Sequence, residues 1–548
     1  MKKFVLGLVA LVLGITLFSF TPPADRYFEI ARNLEIFAAL FKEVNTYYVD
    51  DINPNKLVRT GIDAMLGSLD PYTNYIPEDE IENFQTMYKT GQYGGIGAVT
   101  REIGKRTVVT MVYDGFPASK GGLKIGDEII KMDEVELSRI TMEEANLLMR
   151  GQVGTTVTLT VKRYGVKDPI ALSFKREQIK VNNVPYFGMV SPTIGYVQLT
   201  DFTMEAGKGV KNAVTALKEK GAQGIILDLR GNPGGLLDEA VNICNIFLPK
   251  GKQVVSTRGK RAESNKNYET PAAPVDLDLP VAVLINRGSA SASEIVAGTL
   301  QDYDRAVVIG EKSYGKGLVQ VSTPLSYNSQ VKITTAKYYT PTGRCIQVLD
   351  YEHRREDGSV GSIPDSLKKA FKTTHGRTVY DGGGIDPDIS VPAPEASSIT
   401  QVLYSAGFIF DYATQYAARH PNIPAAREFS LTDAEYNEFV QWMKDKKYNY
   451  RSPAEIQLGQ LIREAKAERF YDDLKGSIDQ IQSRINENRK NDLITYKVQI
   501  KSLLEEDIVS RYYFEKGEVE VSFKQDEEIR KSLEVLNNLP QYRKILNL

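Results

Sequence analysis

Residues 281–301 read VAVLINRGSASASEIVAGTLQ, and this stretch decides the fold. Its apolar start, residues 281–286, predicts a buried strand, the small residues after it predict a tight turn, and the remainder predicts a helix. Residues 224–229 lead in the same way into the turn RGNPGG and a helix, and residues 306–309 lead into GEKSYGKG and a returning strand. These three units predict an α/β layer whose strand ends carry loops to one edge, where open α/β sheets usually place their sites.

Working outward from this layer, the chain divides into segments of different pattern. Residues 25–85 carry apolar side chains at three- and four-residue spacing and predict helices, and residues 86–176 predict short strands and one helix between glycine-rich turns. The α/β core spans residues 184–394. Residues 395–548 predict long charged helices, in which EVEVSF, residues 518–523, is a lone strand candidate. The predicted fold class is α/β multidomain with helical N- and C-terminal regions.

The composition restricts the classes of function. Charged residues make up 25% of the 548 residues but nearly cancel to a net charge of −2, so no nucleic-acid partner is predicted, because such a partner needs a basic excess. Only three histidines and two cysteines occur, and they form no cluster with metal-ligand spacing. A metal site is therefore not predicted.

The N-terminus carries a targeting pattern. Lys2 and Lys3 precede an uncharged apolar run over residues 4–20, which is typical of a secretory signal peptide. The run also suits an uncleaved anchor in the inner membrane, although it is at the short end for spanning a bilayer. We therefore expect an exported protein, with residues 1–20 as signal peptide or anchor.

The turn GSASASE, residues 288–294, holds the densest chemical signal. Ser291 and Glu294 have the spacing of a capping box, so the serine can simply satisfy free N–H groups at the helix start. The same turn would also present the Ser291 hydroxyl at the edge of the sheet, as in the nucleophile elbow of other hydrolases. In that arrangement the N–H of Ala292 is a candidate oxyanion donor. Both interpretations stay open from this motif alone.

A serine nucleophile needs a general base, and no histidine lies near this turn. Lys316, in the segment YGKGLVQ at residues 314–320, is the candidate base. A lysine acts as a base only when it is neutral, and burial favours the neutral form. If the segment is extended, Gln320 faces the same side and could hold the lysine amine without restoring its charge. The alternative is an ordinary solvated lysine in a loop.

Glycine-rich turns supply two further candidates. RGNPGG, residues 230–235, is either a helix-start turn that needs glycine for its backbone angles or a second oxyanion donor through the N–H of Gly234 or Gly235. YGGIGA, residues 93–98, is either a glycine-rich hairpin or a backbone nest for the carboxylate of a peptide that adds as a strand beside it. The candidate peptide-binding residues are Tyr93, Gly94, Gly95, Ile96, Gly97 and Ala98.

Together these motifs resemble the carboxyl-terminal processing, or tail-specific, proteases, which are PDZ-containing serine peptidases with a Ser–Lys site. The resemblance covers about residues 25–392 and rests on LDPYTNYIPEDE, YGGIGA, PASKGGLKIGDEII, DLRGNPGG, NRGSASASEI, YGKGLVQ and GGGIDPDI. It implies a crotonase/Clp-like ββα protease core with an inserted PDZ domain at residues 86–176. One departure from the family's pattern is Cys345, where many relatives carry serine.

The resemblance also implies a role for each site residue. Ser291 would be the nucleophile, Lys316 the general base and Gln320 the residue that orients the lysine. The oxyanion hole would combine Ala292 with one glycine of the pair Gly234–Gly235, with a slight preference for Gly234. No metal or organic cofactor is implied.

The expected function is that of an exported serine endopeptidase, periplasmic or in the cell envelope, that captures the C-terminal tails of protein substrates through its PDZ domain. Apolar stripes on the helical ends favour a homodimer. Two alternatives come from other classes, a non-catalytic PDZ adaptor and an enzyme of acyl-CoA chemistry on the same α/β layer. The set of Ser291, Lys316 and Gln320 disfavours the adaptor, and the signal peptide and PDZ segment disfavour a cytosolic thioester substrate.

Overall fold

The computed structural model describes residues 24–85 and 91–548. The predicted signal peptide or anchor at residues 1–20 lies outside this part of the chain. Two compact units are formed, one from the residues up to Tyr75 together with Ser322–Ile333, and the other from Ile76–Val321 and Thr334–Leu548. The predicted site motifs all fall in the second unit.

The helices, in chain order, are α1 (Ala24–Tyr47), α2 (Pro54–Gly67), α3 (Ile81–Gln85), α4 (Pro117–Lys120), α5 (Met142–Met149), α6 (Ala206–Glu219), α7 (Leu237–Phe247), α8 (Ala292–Asp302), α9 (Ser398–Ser405), α10 (Phe408–Arg419), α11 (Asp433–Met443), α12 (Pro453–Ala467), α13 (Tyr471–Arg489), α14 (Asp492–Thr495), α15 (Lys497–Ser522), α16 (Glu527–Leu536) and α17 (Leu539–Leu546).

The strands are β1 (Asn74–Ile76), β2 (Gln92–Gly95), β3 (Ala98–Ile103), β4 (Arg106–Val112), β5 (Glu128–Met132), β6 (Val135–Glu136), β7 (Thr156–Lys162), β8 (Ile170–Lys175), β9 (Glu177–Lys180), β10 (Tyr186–Met189), β11 (Ile194–Gln198), β12 (Gly224–Asp228), β13 (Gln253–Gly259), β14 (Lys266–Glu269), β15 (Val281–Ile285), β16 (Val307–Gly310), β17 (Leu318–Pro324), β18 (Gln330–Tyr339), β19 (Ala370–Lys372), β20 (Thr378–Tyr380) and β21 (Ile389–Ser390).

Helices α1 and α2 make up most of the N-terminal segment, which also holds strand β1. Helix α2 begins where the sequence supplies a cap, because the side chain of Asn53 accepts the N–H of Lys56 and Pro54 occupies the first turn. On α1, apolar side chains such as Leu34 and Phe37 remain exposed to solvent.

Strands β3, β4, β5, β7 and β8 form an antiparallel sheet in that order, with β6 beside β5. Helix α5 begins with a capping box, since the hydroxyl of Thr141 accepts the N–H of Glu144 and the Glu144 carboxylate accepts the N–H of Thr141. Buried residues such as Val109, Val157 and Leu159 form the core of this domain.

The α/β layer is a six-stranded sheet in the order β10–β11–β12–β15–β16–β21. Every pair is parallel except β10 with β11. The three predicted strand–turn units are confirmed, with α7 after β12 and α8 after β15. The strands are continuous apolar runs because both faces of the sheet are covered. Helices α6, α7 and α8 cover one face, and α16 and α17 cover the other.

The C-terminal segment is helical as predicted, but its helices serve two cores. Residues from α9, α10, α11 and α15 form a core of their own that includes Tyr436, Phe439 and Leu504. Helices α16 and α17 instead pack Leu536 and Tyr542 against the sheet of the α/β layer. The apolar periodicity of these helices predicts a buried stripe, but it does not specify which surface the stripe covers.

The strand predicted at residues 518–523 is wrong, because residues 518–522 belong to helix α15. The alternating pattern has another cause. Val519 packs against the cluster on the α/β sheet, whereas Val521 belongs to the cluster of C-terminal helices. Residues two apart on a helix point in nearly opposite directions, so a helix held between two cores shows the same alternation as a half-buried strand.

Candidate active site

Three loops meet at one edge of the α/β sheet. They follow strands β12, β15 and β16, which are parallel neighbours and therefore end on the same side. Backbone hydrogen bonds join the loops: the N–H of Ala290 donates to the carbonyl of Asn232 at 3.0 Å, and the N–H of Tyr314 donates to the carbonyl of Ser289 at 3.0 Å. The RGNPGG turn, the GSASASE turn and the loop that holds Lys316 thus lie together at this edge.

Ser291 occupies a strained turn between β15 and α8. Its φ of 55° and ψ of −111° lie in a region that residues other than glycine rarely adopt. Both backbone polar groups are held, because its N–H donates to the carboxylate of Glu294 at 2.8 Å and its carbonyl accepts the hydroxyl of Tyr338 at 3.2 Å. A strained strand-to-helix turn of this kind presents a serine hydroxyl at the edge of a sheet.

The other two serines of the motif have structural partners. The hydroxyl of Ser289 donates to the carbonyl of Leu229 at 2.7 Å, and the hydroxyl of Ser293 donates to the carbonyl of Asn232 at 2.9 Å. Both serines are completely buried, whereas Ser291 is partly exposed. This difference favours Ser291 as the reactive serine of the three.

The RGNPGG turn packs directly against the Ser291 turn. A Cβ atom built on Gly234 would lie 2.8 Å from the nitrogen of Ala292 and 2.9 Å from the Cβ of Ser291, and the φ of Gly234 is +94°. Only glycine fits this position. The N–H of Gly234 already donates to Oδ1 of Asn232 at 2.9 Å, whereas the N–H of Gly235 has no hydrogen-bond partner within the described part of the chain.

Lys316 lies in the loop between β16 and β17 and is partly buried. Its backbone N–H donates to Oε2 of Glu294 at 2.9 Å, which ties the candidate base to the helix that follows the candidate nucleophile. The side-chain amide of Gln320, on β17, donates to the hydroxyl of Thr334 on β18 at 3.1 Å. A contact between Gln320 and the Lys316 amine stays a prediction.

A second concave surface lies in the domain of the YGGIGA motif. It is a cavity of about 250 Å³ between β3 and α5. Tyr93, Ile96, Gly97 and Ala98 of the motif line it, whereas Gly94 and Gly95 lie in the ladder between β2 and β9. The remaining lining residues are Val99, Thr100, Tyr113, Asn146, Met149, Arg150 and Val181.

The polar groups of this cavity come from distant parts of the sequence. The guanidinium of Arg150 lies 4.8 Å from the ring centre of Tyr93, in cation–π contact. Burial raises the pKa of Tyr113 to about 12, and the neighbouring Tyr93, Glu515 and Asp201 raise it in the same direction. The phenol therefore stays protonated and can donate a hydrogen bond to an anionic ligand.

Sequence reasoning missed several residues that shape both sites. Glu294 was assigned only to the helix start, and Asn232 was not given a role within its motif. Tyr338 and Arg150 carry no local signal, because Tyr338 contacts Ser291 across 47 positions of sequence and Arg150 simply follows α5. Contacts of this kind depend on how distant elements pack.

Known families match this chain in three places. Residues 193–352 match the profile of peptidase family S41, residues 85–162 match a PDZ domain, and residues 399–536 match the C-terminal helical domain of probable PDZ-proteases. A carboxy-terminal-processing protease of Bartonella bacilliformis is 41% identical over 328 residues, which cover 59% of this chain and 74% of that protein. The chain belongs to peptidase family S41.

Other relatives of this S41 peptidase include the carboxy-terminal processing protease CtpA of Bacillus subtilis, 36% identical over 56% of this chain and 65% of that protein. Among solved structures, a photosystem II D1 C-terminal processing protease is 24% identical over 69% of this chain, with a TM-score of 0.35. The chain is thus a serine-type peptidase with a PDZ domain and a helical C-terminal region.

Proposed function

We propose that this S41 peptidase is an exported endopeptidase that hydrolyses peptide bonds through Ser291 and Lys316 after its PDZ domain captures the C-terminal tail of a protein substrate. The observation that supports it most is the strained Ser291 turn, whose backbone shares the Glu294 carboxylate with the backbone of Lys316. A general base must lie within hydrogen-bond reach of the proton on the nucleophile, and a shared anchor for the two loops favours that arrangement.

The proposed reaction is acyl transfer through a covalent intermediate. The hydroxyl oxygen of Ser291 attacks the peptide carbonyl while the neutral amine of Lys316 takes the hydroxyl proton. The protonated lysine then donates that proton to the leaving amine as the C–N bond breaks. Water next attacks the acyl-enzyme with Lys316 again acting as base, which releases the acid and regenerates the Ser291 hydroxyl.

Two backbone amides are proposed to stabilise the oxyanion. Ala292 is the first residue of α8, so its N–H points out of the helix start and no residue of the helix itself can accept it. The second donor is a glycine of the Gly234–Gly235 pair. The family resemblance slightly favours Gly234 as this donor. The N–H of Gly234 already donates to the side chain of Asn232, however, so Gly235 is the preferred donor. Gln320 keeps its proposed role of orienting Lys316.

Tail capture is proposed at the cavity between β3 and α5. A peptide can add as a strand beside β3, with its terminal carboxylate near residues 96–98 and the positive charge of Arg150. The flanking side chains of Ile96 and Met149 favour an apolar last residue. The non-catalytic adaptor remains the competing function, since it would use this cavity alone.

Export is proposed from the pattern of residues 1–20, either as a cleaved signal peptide or as an anchor. Within residues 24–85 and 91–548, no helix is long and apolar enough to cross a bilayer. A homodimer through the helical ends is proposed from the exposed apolar side chains of α1.

The test compares wild type, Ser291→Ala and Lys316→Ala on an unstructured protein with an apolar C-terminus and on the same protein with a charged C-terminus. Wild type alone should cut, and it should cut the apolar tail faster. Equal cleavage by all three proteins would refute the catalytic assignment. Tail binding without cleavage by wild type would support the adaptor.

A further inference from the structure

A buried carboxylate at the start of α8 accepts more hydrogen bonds than a helix cap requires. Glu294 is completely buried, and its two oxygens accept four hydrogen bonds. One donor, the N–H of Ser291, lies in the same turn. The other three come from the loop after β16: the hydroxyl of Ser313 at 2.5 Å, the N–H of Gly315 at 2.6 Å and the N–H of Lys316 at 2.9 Å.

The distribution of these bonds over the two oxygens is informative. Oε2 accepts the backbone N–H of Ser291 and the backbone N–H of Lys316, so both amide nitrogens lie within 3 Å of one atom. Oε1 accepts the other two donors. One carboxylate oxygen therefore links the main chain of the proposed nucleophile to the main chain of the proposed base, although the two residues lie on different loops.

The network continues behind the carboxylate. The hydroxyl of Ser313 donates to Glu294 and accepts the N–H of Ile385 at 2.7 Å. The loop is thus held from two sides, by α8 and by the GGGIDPDI segment. A buried polar group with every partner in place fixes its surroundings, whereas the same group with one partner missing is costly.

The hydrogen-bond donors around Glu294 suit an ionised carboxylate in this position. All four partners are donors, so a protonated Glu294 would bring its own hydrogen against a donor. Burial raises the pKa of Glu294, and the bonds from Ser313, Lys316, Gly315 and Ser291 lower it without cancelling that rise. A glutamine of the same shape would present an NH₂ group to donors and would break at least one bond.

We infer that Glu294 is a positioning residue that sets the distance between the Ser291 hydroxyl and the Lys316 amine by binding both main chains. This inference rests on the proposed function, because it takes Ser291 and Lys316 as the reacting pair. Glu294 acts only through these two residues and does not touch the substrate. A helix cap alone would need only the bond to Ser291.

The experiment measures kcat, KM and the pH profile of kcat/KM for full-length Glu294→Gln on the unstructured substrate with an apolar tail. We expect kcat to fall by about 100-fold, because a displacement of roughly 1 Å between reacting groups costs about that factor. KM should stay within about twofold of wild type, since tail capture is remote. Removing an anion beside the lysine loop should also move the acid limb of the profile to lower pH.

A matched control separates positioning from general loss of stability. Glu505 is a second buried carboxylate, on α15, and accepts hydrogen bonds from Ser430 and Leu431 at 2.9 and 2.8 Å. Glu505→Gln should destabilise the protein comparably while leaving kcat and the acid limb unchanged. Glu294→Asp keeps the charge but shortens the side chain, and it should recover part of kcat.

The outcomes are distinguishable from failure of the proposed function. If Ser291→Ala is inactive and Glu294→Gln retains wild-type kcat and acid limb, the inference falls while the function stands. If kcat falls only as far as in Glu505→Gln, with no shift of the limb, Glu294 is merely structural and the inference also falls. If Glu294→Gln does not fold, Ser313→Ala removes a single bond to the same carboxylate and keeps its charge, so it should lower kcat to a smaller extent. Wild-type kcat in that variant would overturn the inference.

Discussion

The two glycine-rich sites of this peptidase differ in how their polar groups are held. At the proposed catalytic edge, the groups that surround Ser291 are buried and joined by hydrogen bonds, as with Glu294 and Asn232, both completely buried. At the proposed tail-binding cavity, the polar side chains of Tyr93 and Arg150 are only partly buried, whereas the apolar lining residues Ile96 and Met149 are buried. Bond chemistry needs atoms held to a fraction of an ångström, whereas tail capture tolerates adjustment by partly exposed side chains.

This difference predicts different kinetic effects. A change at the catalytic edge should lower kcat, because it moves groups that act in the transition state. A change in the cavity should raise KM for tailed substrates, because it removes binding that precedes the reaction. A substitution at the catalytic edge that raised KM, or a substitution in the cavity that lowered kcat, would show that the two sites are mechanically linked.

The largest effect is expected from Gly234→Ala, which should reduce kcat by about 100-fold or more. A Cβ at this position would lie 2.6 Å from the carbonyl oxygen of Ala290 and 2.8 Å from the nitrogen of Ala292, one of the proposed oxyanion donors. The methyl group must therefore displace the Ser291 turn or the RGNPGG turn. Steady-state kinetics on the apolar-tailed substrate provide the measurement.

Gly231→Ala is the matched control for that prediction. Gly231 lies in the same turn with a φ of +68°, and a Cβ built on it has no neighbour within 4 Å. It carries the backbone strain without the overlap, so kcat should stay within about threefold of wild type. Equal losses of kcat in the two variants would attribute the effect to strain and remove the claim of close packing at Gly234.

The catalytic edge also shows how far sequence reasoning reaches. Local periodicity predicts the strand at 281–286, the turn and the helix that follows, because those patterns depend on near neighbours. The bonds from Glu294 to the Lys316 loop span 19 to 22 positions, and nothing in the local pattern indicates them. The same limit explains why the placement of α16 on the sheet does not follow from the sequence pattern.

The tail cavity should respond in KM rather than in kcat. Arg150→Ala is expected to raise KM about tenfold for substrates that end in a free carboxylate, since a charge-assisted interaction contributes about 1.5–3 kcal/mol. The same substrate with an amidated C-terminus should show no change. Arg139→Ala, which removes an exposed ion pair with Glu136 in the same domain, is the control. A fall in kcat with unchanged KM would place Arg150 in the catalytic function instead.

The smallest effect is expected at the outer side of the RGNPGG turn. The guanidinium of Arg230 contacts three carboxylates, Asp228 at 2.5 Å and Asp526 and Glu528 at 2.8 Å each. Asp526 and Glu528 belong to the C-terminal region, so this cluster joins that region to the catalytic edge. With three anions around one cation, the loss of one anion leaves the cation paired.

Glu528→Gln should therefore leave kcat within about twofold of wild type and change Tm at neutral pH by no more than about 3 °C.

Burial raises the pKa of Glu528, Arg230 lowers it, and Asp526 raises it again, with a net upward shift. The folded state then binds this proton more tightly than the unfolded state, so the contribution of Glu528 is most favourable at low pH and declines as the pH rises through the folded-state pKa. The glutamine variant lacks this titration, and its Tm relative to wild type should rise in thermal melts as the pH is raised from below about 4.3, the ordinary pKa of a glutamate, to above the folded-state pKa of Glu528. A large loss of kcat in Glu528→Gln would mean that the outer ion cluster positions the RGNPGG turn. The rigidity of the catalytic edge would then depend on the C-terminal helices as much as on the buried bonds around Ser291.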